Sequence, residues 1–137
     1  ETAPLYAPPD FNGQIFAARA YKVYDGDTMW AAFMHDGVPT TFKIRILGHD
    51  TPEMRGETKL ECELAVIARD RARELVDGKV VVLKCGKYDQ YKRLLANVIL
   101  EDGTDLAELL IRESLAFAYD GKKKKKDWDT LWRIRNV

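Results

Sequence analysis

Residues 28–47 read Thr28-Met29-Trp30-Ala31-Ala32-Phe33-Met34-His35-Asp36-Gly37-Val38-Pro39-Thr40-Thr41-Phe42-Lys43-Ile44-Arg45-Ile46-Leu47. Thr28 to Met34 is rich in residues that suit a half-buried sheet, and from Thr40 to Leu47 the residues Phe42, Ile44 and Ile46 alternate with Thr41, Lys43 and Arg45. Between the two runs stands Asp36-Gly37. Both residues tolerate the positive φ that a two-residue hairpin loop requires, so the runs are expected to pair antiparallel. The apolar set of the second run then faces the core, and Arg45 faces out.

Upstream, Gln14 to Val23 reads as a preceding strand that ends at Asp25-Gly26. Downstream, Thr58 and Glu61 form a capping-box pattern ahead of Leu60, Leu64, Ile67, Ala68, Ala72 and Leu75 at helical spacing, with Gly78 as a stop. This predicts a helix over 59–76. Val80 to Lys84 and Leu94 to Leu100 are aliphatic runs separated by the polar connection Lys87 to Arg93, and Asp102-Gly103 closes the second. Asp105 with Glu108 opens a short helix running to Ser114, and Asp127 caps a third that holds Trp128, Leu131 and Trp132. Three strands, a long helix, two strands and two helices are the order of an α+β fold built on a five-stranded, OB-type small β-barrel with three α-helices. Residues 14–137 are expected to form a single domain, preceded by a flexible N-terminal segment over residues 1–13 with Pro4, Pro8 and Pro9. A trimmed leader, a removed anchor and an arbitrary boundary all fit a first residue that is Glu1.

Composition bounds the function. A chain of 137 residues buries roughly two-thirds of its unfolded surface, enough for one core. The 46% hydrophobic and 32% charged content is that of a globular chain. No apolar run approaches the ~20 residues of a membrane-spanning helix. With 22 basic and 22 acidic residues the formal charge is zero, which disfavours coating of nucleic acid by bulk electrostatics and leaves only focal contacts. Cys62 and Cys85 lack CxxC spacing and nearby histidines, so they read as reduced structural thiols. His35 and His49 are isolated, which argues against a zinc site. A monomer is expected.

Two acidic clusters carry the chemistry: Asp25-Gly26-Asp27-Thr28 and Asp50-Thr51-Pro52-Glu53. A hard cation such as calcium takes oxygen ligands from separate parts of a chain. Asp27 and Asp50 are candidates, with the Thr51 carbonyl as a third oxygen and Asp25 behind them. Glu53 is the candidate general base, its reach limited by Pro52. Arg45 and Arg93 suit a phosphate clamp, because a guanidinium donates two parallel hydrogen bonds and keeps its charge. Each piece alone reads as an ordinary turn or a solvated arginine; their joint occurrence points to phosphodiester hydrolysis. Arg45 and Asp50 are an odd number of residues apart, so a regular strand would send them to opposite faces. An irregularity at Gly48 is therefore expected.

Tyr24-Asp25-Gly26-Asp27-Thr28, then Arg45-Ile46-Leu47-Gly48-His49-Asp50-Thr51-Pro52-Glu53, then Asp89-Gln90-Tyr91-Lys92-Arg93 resembles the staphylococcal nuclease (thermonuclease) family over residues 14 to 135. The resemblance implies a calcium-dependent, largely sequence-nonspecific nuclease acting on DNA and/or RNA, with 3′-phosphate products. It implies that Asp27, Asp50 and the Thr51 carbonyl bind Ca2+ with Asp25 nearby, that Arg45 and Arg93 contact the scissile phosphate, and that Glu53 is the general base or water-orienting group. Tyr91 matches a tyrosine at the phosphate or nucleotide pocket, and Tyr119 one near the nucleotide base. Gln90 departs from the family lysine before that tyrosine, so one basic contact is missing, and Lys92 is the candidate to replace it. Met54-Arg55-Gly56 stands for a longer loop. Extracellular calcium would suit so few protein ligands, a lean towards secretion or another calcium-rich compartment.

Lys122 to Lys126 is either a solvated loop or a nucleic-acid contact; from Tyr119 to Val137 basic residues exceed acidic ones by four. Two other functions stay open. A non-catalytic nuclease-like module would bind nucleic acid or a protein without cutting, though such copies typically lose the acidic and arginine positions kept here. A plain OB-type single-strand binder would use Trp30, Phe33 and Phe42 as stacking platforms, against the alternative that they pack the core.

Overall fold

The computed structural model describes residues 8–118 and 127–135. Tyr119 and Lys122 to Lys126 therefore lie outside the described residues. Strands β1 (Ile15–Asp25), β2 (Thr28–His35) and β3 (Val38–Ile46) form the expected antiparallel meander. The β2–β3 turn has φ 52° at Asp36 and 77° at Gly37, with His35 opposite Val38. Helix α1 (Lys59–Val76) follows the short strand β4 (His49–Asp50), and β5 (Val80–Tyr88) and β6 (Leu94–Ile99) complete a closed barrel in the order β1-β2-β3-β6-β5. Antiparallel pairing of β1 with β5 and parallel pairing of β3 with β6 close it. After β6 come helix α2 (Leu106–Arg112), strand β7 (Phe117–Ala118) and helix α3 (Trp128–Arg135). The fold is the OB-type α+β barrel that the order of elements predicts.

Inside the barrel, Ala18, Ala20, Ala31 and Ala96 alternate with Met29, Ile44, Ile46, Leu83, Leu94 and Val98, all buried. Small and large residues together suit the narrow interior of a small barrel. Phe11, Phe16, Phe33 and Phe42 plug one end of it, with Phe16 stacked on Phe33 at 4.4 Å and Phe33 on Phe42 at 4.8 Å. Phe33 and Phe42 are thus core residues rather than nucleotide platforms. Phe11 lies in the stretch expected to be flexible, yet it is 4% exposed, and the neighbouring Pro9 carbonyl accepts from the Tyr88 hydroxyl at 2.9 Å. Phe11 supplies the fourth ring of the plug, edge-on to Phe16, Phe33 and Phe42.

Helix α1 begins at its predicted residue, with the Thr58 hydroxyl accepting from Glu61 N at 3.0 Å. Ala68, Ala72 and Val76 face the barrel core, and Leu64 packs with Trp128 and Leu131 of α3. Ile67, which helical spacing places on the apolar face, is 41% exposed. Asp105 caps α2 through Glu108 N, and Asp127 caps α3 through Thr130 N. Two expectations change. β5 runs on through Cys85 to Tyr88 by an irregular register, so part of the polar connection is strand. The two-stranded sheet of β4 and β7 was not anticipated, since two residues carry no periodicity.

Candidate active site

β3 ends at Ile46, and Gly48 takes φ 102° before β4 begins, which is the irregularity that the Arg45 and Asp50 spacing requires. The bend lays residues 49–51 against the β1–β2 turn. His49 Nε2 sits 2.7 Å from the Gly26 carbonyl, and a Cβ on Gly26 would meet Thr51 Cγ2 at 2.6 Å. Only glycine allows that approach, so the Gly of Asp25-Gly26-Asp27 joins the two acidic clusters. A carbonyl can only accept, so Nε2 carries the proton. Burial drives the His49 ring down to about 4, leaving it neutral and structural at neutral pH. It was read from sequence as an isolated histidine.

Arg45 corrects a second expectation. It lies on the outer face of β3 but is only 7% exposed, because its guanidinium is held among polar groups. It donates to the Ile46 carbonyl and, at 3.0 Å, to the His49 carbonyl, and lies 3.6 Å from Asp27 Oδ2. Strand alternation predicts a face; it does not predict what covers that face. Burial alone would raise the Asp27 carboxyl, but the Arg45 charge, with hydrogen bonds from Asp25 and Thr28, holds it below the usual carboxylate range. Asp25 goes the other way. Burial pushes it up to about 7, reinforced by the Asp27 charge and the side-chain hydrogen bond between the two.

Arg93 arrives from the turn between β5 and β6. Asp89 organises that turn, accepting from Tyr91 N and Arg93 N at 2.9 Å each and from Arg93 Nε at 2.7 Å. The far nitrogen of Arg93 donates to Thr28 Oγ1 at 2.9 Å, and Thr28 donates to Asp27 Oδ1 at 2.9 Å. A polar chain therefore links Asp89, Arg93, Thr28 and Asp27 across the sheet. Tyr91, 70% exposed, has the Arg93 guanidinium 5.6 Å from its ring centre.

Glu53 is placed by a residue that the capping-box reading assigns to the helix alone. The buried Glu61 carboxylate accepts from Glu53 N and Glu57 N, each at 3.1 Å, instead of returning to Thr58. Gly56 packs so closely on it that an added Cβ would lie 2.4 Å from its carboxyl carbon. Glu61 thereby fixes the backbone of the loop that carries Glu53.

These elements converge on a cleft of about 940 Å³. Asp25, Asp27, Thr28, Arg45, Gly48, Glu53, Gln90, Tyr91 and Arg93 line it. Asp50 and Thr51 are buried, Thr51 against Gly26, and do not line its surface, and neither does Lys92, which has φ 63° in the turn. Among the described residues no group of three or more His, Cys, Asp or Glu side chains is placed to hold a metal ion. Any protein ligand set drawn from the candidates is thus two carboxylates and a main-chain carbonyl.

Comparison with known proteins decides the family. The model described as "Staphylococcal nuclease homologue" matches residues 43–135, from β3 to the end of α3. The chain belongs to the staphylococcal nuclease homologue family. Two curated relatives, one from Escherichia coli O157:H7 and one from Escherichia coli, each carry the name "Uncharacterized endonuclease". Each is 28% identical over 102 residues, which are 74% of this chain and 60% of the relative. The chain therefore spans 60% of the length of the relatives it matches. Family membership and the relatives' printed name support a nuclease-like function.

Proposed function

We propose that the chain is a calcium-dependent nuclease that hydrolyses phosphodiester bonds of DNA and/or RNA with little sequence specificity. The observation that carries this reading is the meeting of Arg45, Arg93, Glu53 and Asp27, from four separate segments, on one cleft. The donor set fits a hard cation. Asp27, Asp50 and the Thr51 carbonyl are all oxygen donors, His49 is occupied by Gly26, and water or substrate oxygens can complete a shell of about six to eight ligands. Calcium, when bound, would offset the carboxylate charge and polarise the phosphate.

Arg45 and Arg93 supply the remaining positive charge. They bind non-bridging phosphate oxygens, whose charge grows as a water attacks and the ester oxygen leaves. Glu53 accepts the proton of that water. Asp89 and Thr28 hold Arg93 in place before substrate arrives, so less ordering remains for binding. Recognition through phosphate explains sequence tolerance, and the resemblance to the staphylococcal type extends the proposal to 3′-phosphate ends.

The test is incubation of the protein with single-stranded DNA, duplex DNA and RNA, in calcium or in chelator, beside Glu53→Gln and Arg93→Ala variants, with analysis of the product ends. Calcium-dependent cleavage lost in both variants is expected. Cleavage undiminished in the variants would place the chemistry elsewhere, and binding without any cleavage would favour a non-catalytic module.

A further inference from the structure

The cleft wall built by β1, β2 and β3 carries two side chains for which hydrolysis itself has no task, Tyr24 and Lys43. Tyr24 reaches the wall through an irregularity in β1. Tyr21 pairs with Trp30 and Asp25 with Thr28, so Lys22, Val23 and Tyr24 stand against Met29 alone, and Lys22 takes φ 46°. Extra residues in one strand re-aim the side chains that follow. Continued alternation from Phe16, Ala18 and Ala20 would turn Tyr24 inward; instead Val23 is buried and Tyr24 is 56% exposed at the cleft.

Lys43 is placed by register. Thr28 pairs with Arg45 and Trp30 with Lys43, so Lys43 shares the outer face of β3 with Arg45, about 6.6 Å further along the strand. That offset is comparable with the distance between successive phosphates of an extended strand. The Lys43 ammonium lies 6.0 Å from the centre of the Trp30 ring, an attraction that gives a flexible lysine a preferred position. Trp30, half-buried on this face, is thereby separated in role from Phe33 and Phe42 in the plug.

Resting on the nuclease reading, we propose that this wall is a second nucleotide subsite for single-stranded nucleic acid. The nucleotide next to the scissile phosphate stacks its base on Tyr24 and pairs its phosphate with Lys43, which Trp30 positions. A base is free to stack only when unpaired, so the subsite favours single strands over duplex. It also favours an oligonucleotide over a small diester that fills the central phosphate position alone.

The test compares kcat/KM for a single-stranded oligonucleotide and for methyl 4-nitrophenyl phosphate in the wild type, Tyr24→Ala and Lys43→Gln. The preference for the oligonucleotide should fall roughly tenfold in Tyr24→Ala, the scale of one lost base stack. In Lys43→Gln the slope of log affinity against log salt should shrink by about 0.7, the share of one single-strand phosphate. An unchanged preference together with an unchanged slope overturns the subsite. If the wild type cleaves neither substrate, the nuclease reading fails on its own, and anisotropy of a labelled oligo(dT) still decides the subsite: weaker binding by both variants supports it, and unweakened binding overturns it.

Discussion

At one end of β2, Phe33 and His35 lie among aromatic rings; at the other, Thr28 joins Asp27 to Arg93. The plug of Phe11, Phe16, Phe33 and Phe42 gains from every contact, because apolar surface leaves water and no polar group is stranded. The cleft end buries Asp27, Arg45, His49, Asp50 and Thr51, whose desolvation is offset only by close pairing. Burial pushes Asp25 up to about 7, reinforced by the Asp27 charge beside it. The apolar plug and the charged cleft thus sit at opposite ends of one barrel. Stability and chemistry are therefore expected to respond to different substitutions.

Phe33→Ala should have the largest effect of all, about 3–5 kcal/mol of lost stability measured by urea unfolding. The rate per folded molecule should hold within about twofold; a larger loss of rate would mean that the two ends are coupled. Arg93→Ala reverses the pattern. A fall of roughly a hundredfold to a thousandfold in kcat is expected, with a much smaller shift in unfolding midpoint, and a variant that merely unfolds would break the contrast.

The contrast also separates what could be read along the chain from what could not. Helix α1 and the β2–β3 hairpin were legible because their signals are local: a Thr58 cap with helical spacing, and Asp36-Gly37 between alternating runs. Asp27, Arg45, Glu53, Arg93 and Tyr91 were legible through motifs and are brought to one cleft. The supports were not. His49 finds its partner at Gly26, Asp89 holds Arg93 by two hydrogen bonds and Tyr91 by a third, and Glu61 reaches Glu53 and Glu57 instead of serving only its helix. The contact of buried Arg45 with Asp27 and the pairing of β4 with β7 likewise depend on distant segments. Such partners leave no period and no fixed spacing.

Glu61→Gln tests one of these supports. An amide of the same shape keeps one accepting oxygen for two backbone donors, which should cost about 1–2 kcal/mol. The looser Glu53 loop should cut kcat roughly tenfold, measured beside Glu53→Gln; full activity would mean that the loop does not depend on Glu61. The smallest effect belongs to an ion pair linking α1 to the end of α2. Arg71 donates to Glu113 at 2.7 and 2.8 Å, and this hydrogen bonding holds the Glu113 carboxyl below its usual 4.5. A depressed acid stabilises the fold above its unfolded value and loses that contribution as pH falls through the folded value. Arg71→Ala should therefore lose about 0.5 kcal/mol at neutral pH and match the wild type in strong acid. An equal gap at both pH values would show that packing, not charge, is what Arg71 supplies.

The proposed nuclease site requires a hard cation held at Asp27 and Asp50. Calorimetric titration of the protein with calcium, beside Asp27→Asn and Asp50→Asn, tests it most directly. Saturable calcium binding by the wild type, strongly weakened in both variants, is expected; no binding by the wild type, or identical isotherms in all three proteins, would rule the cation site out.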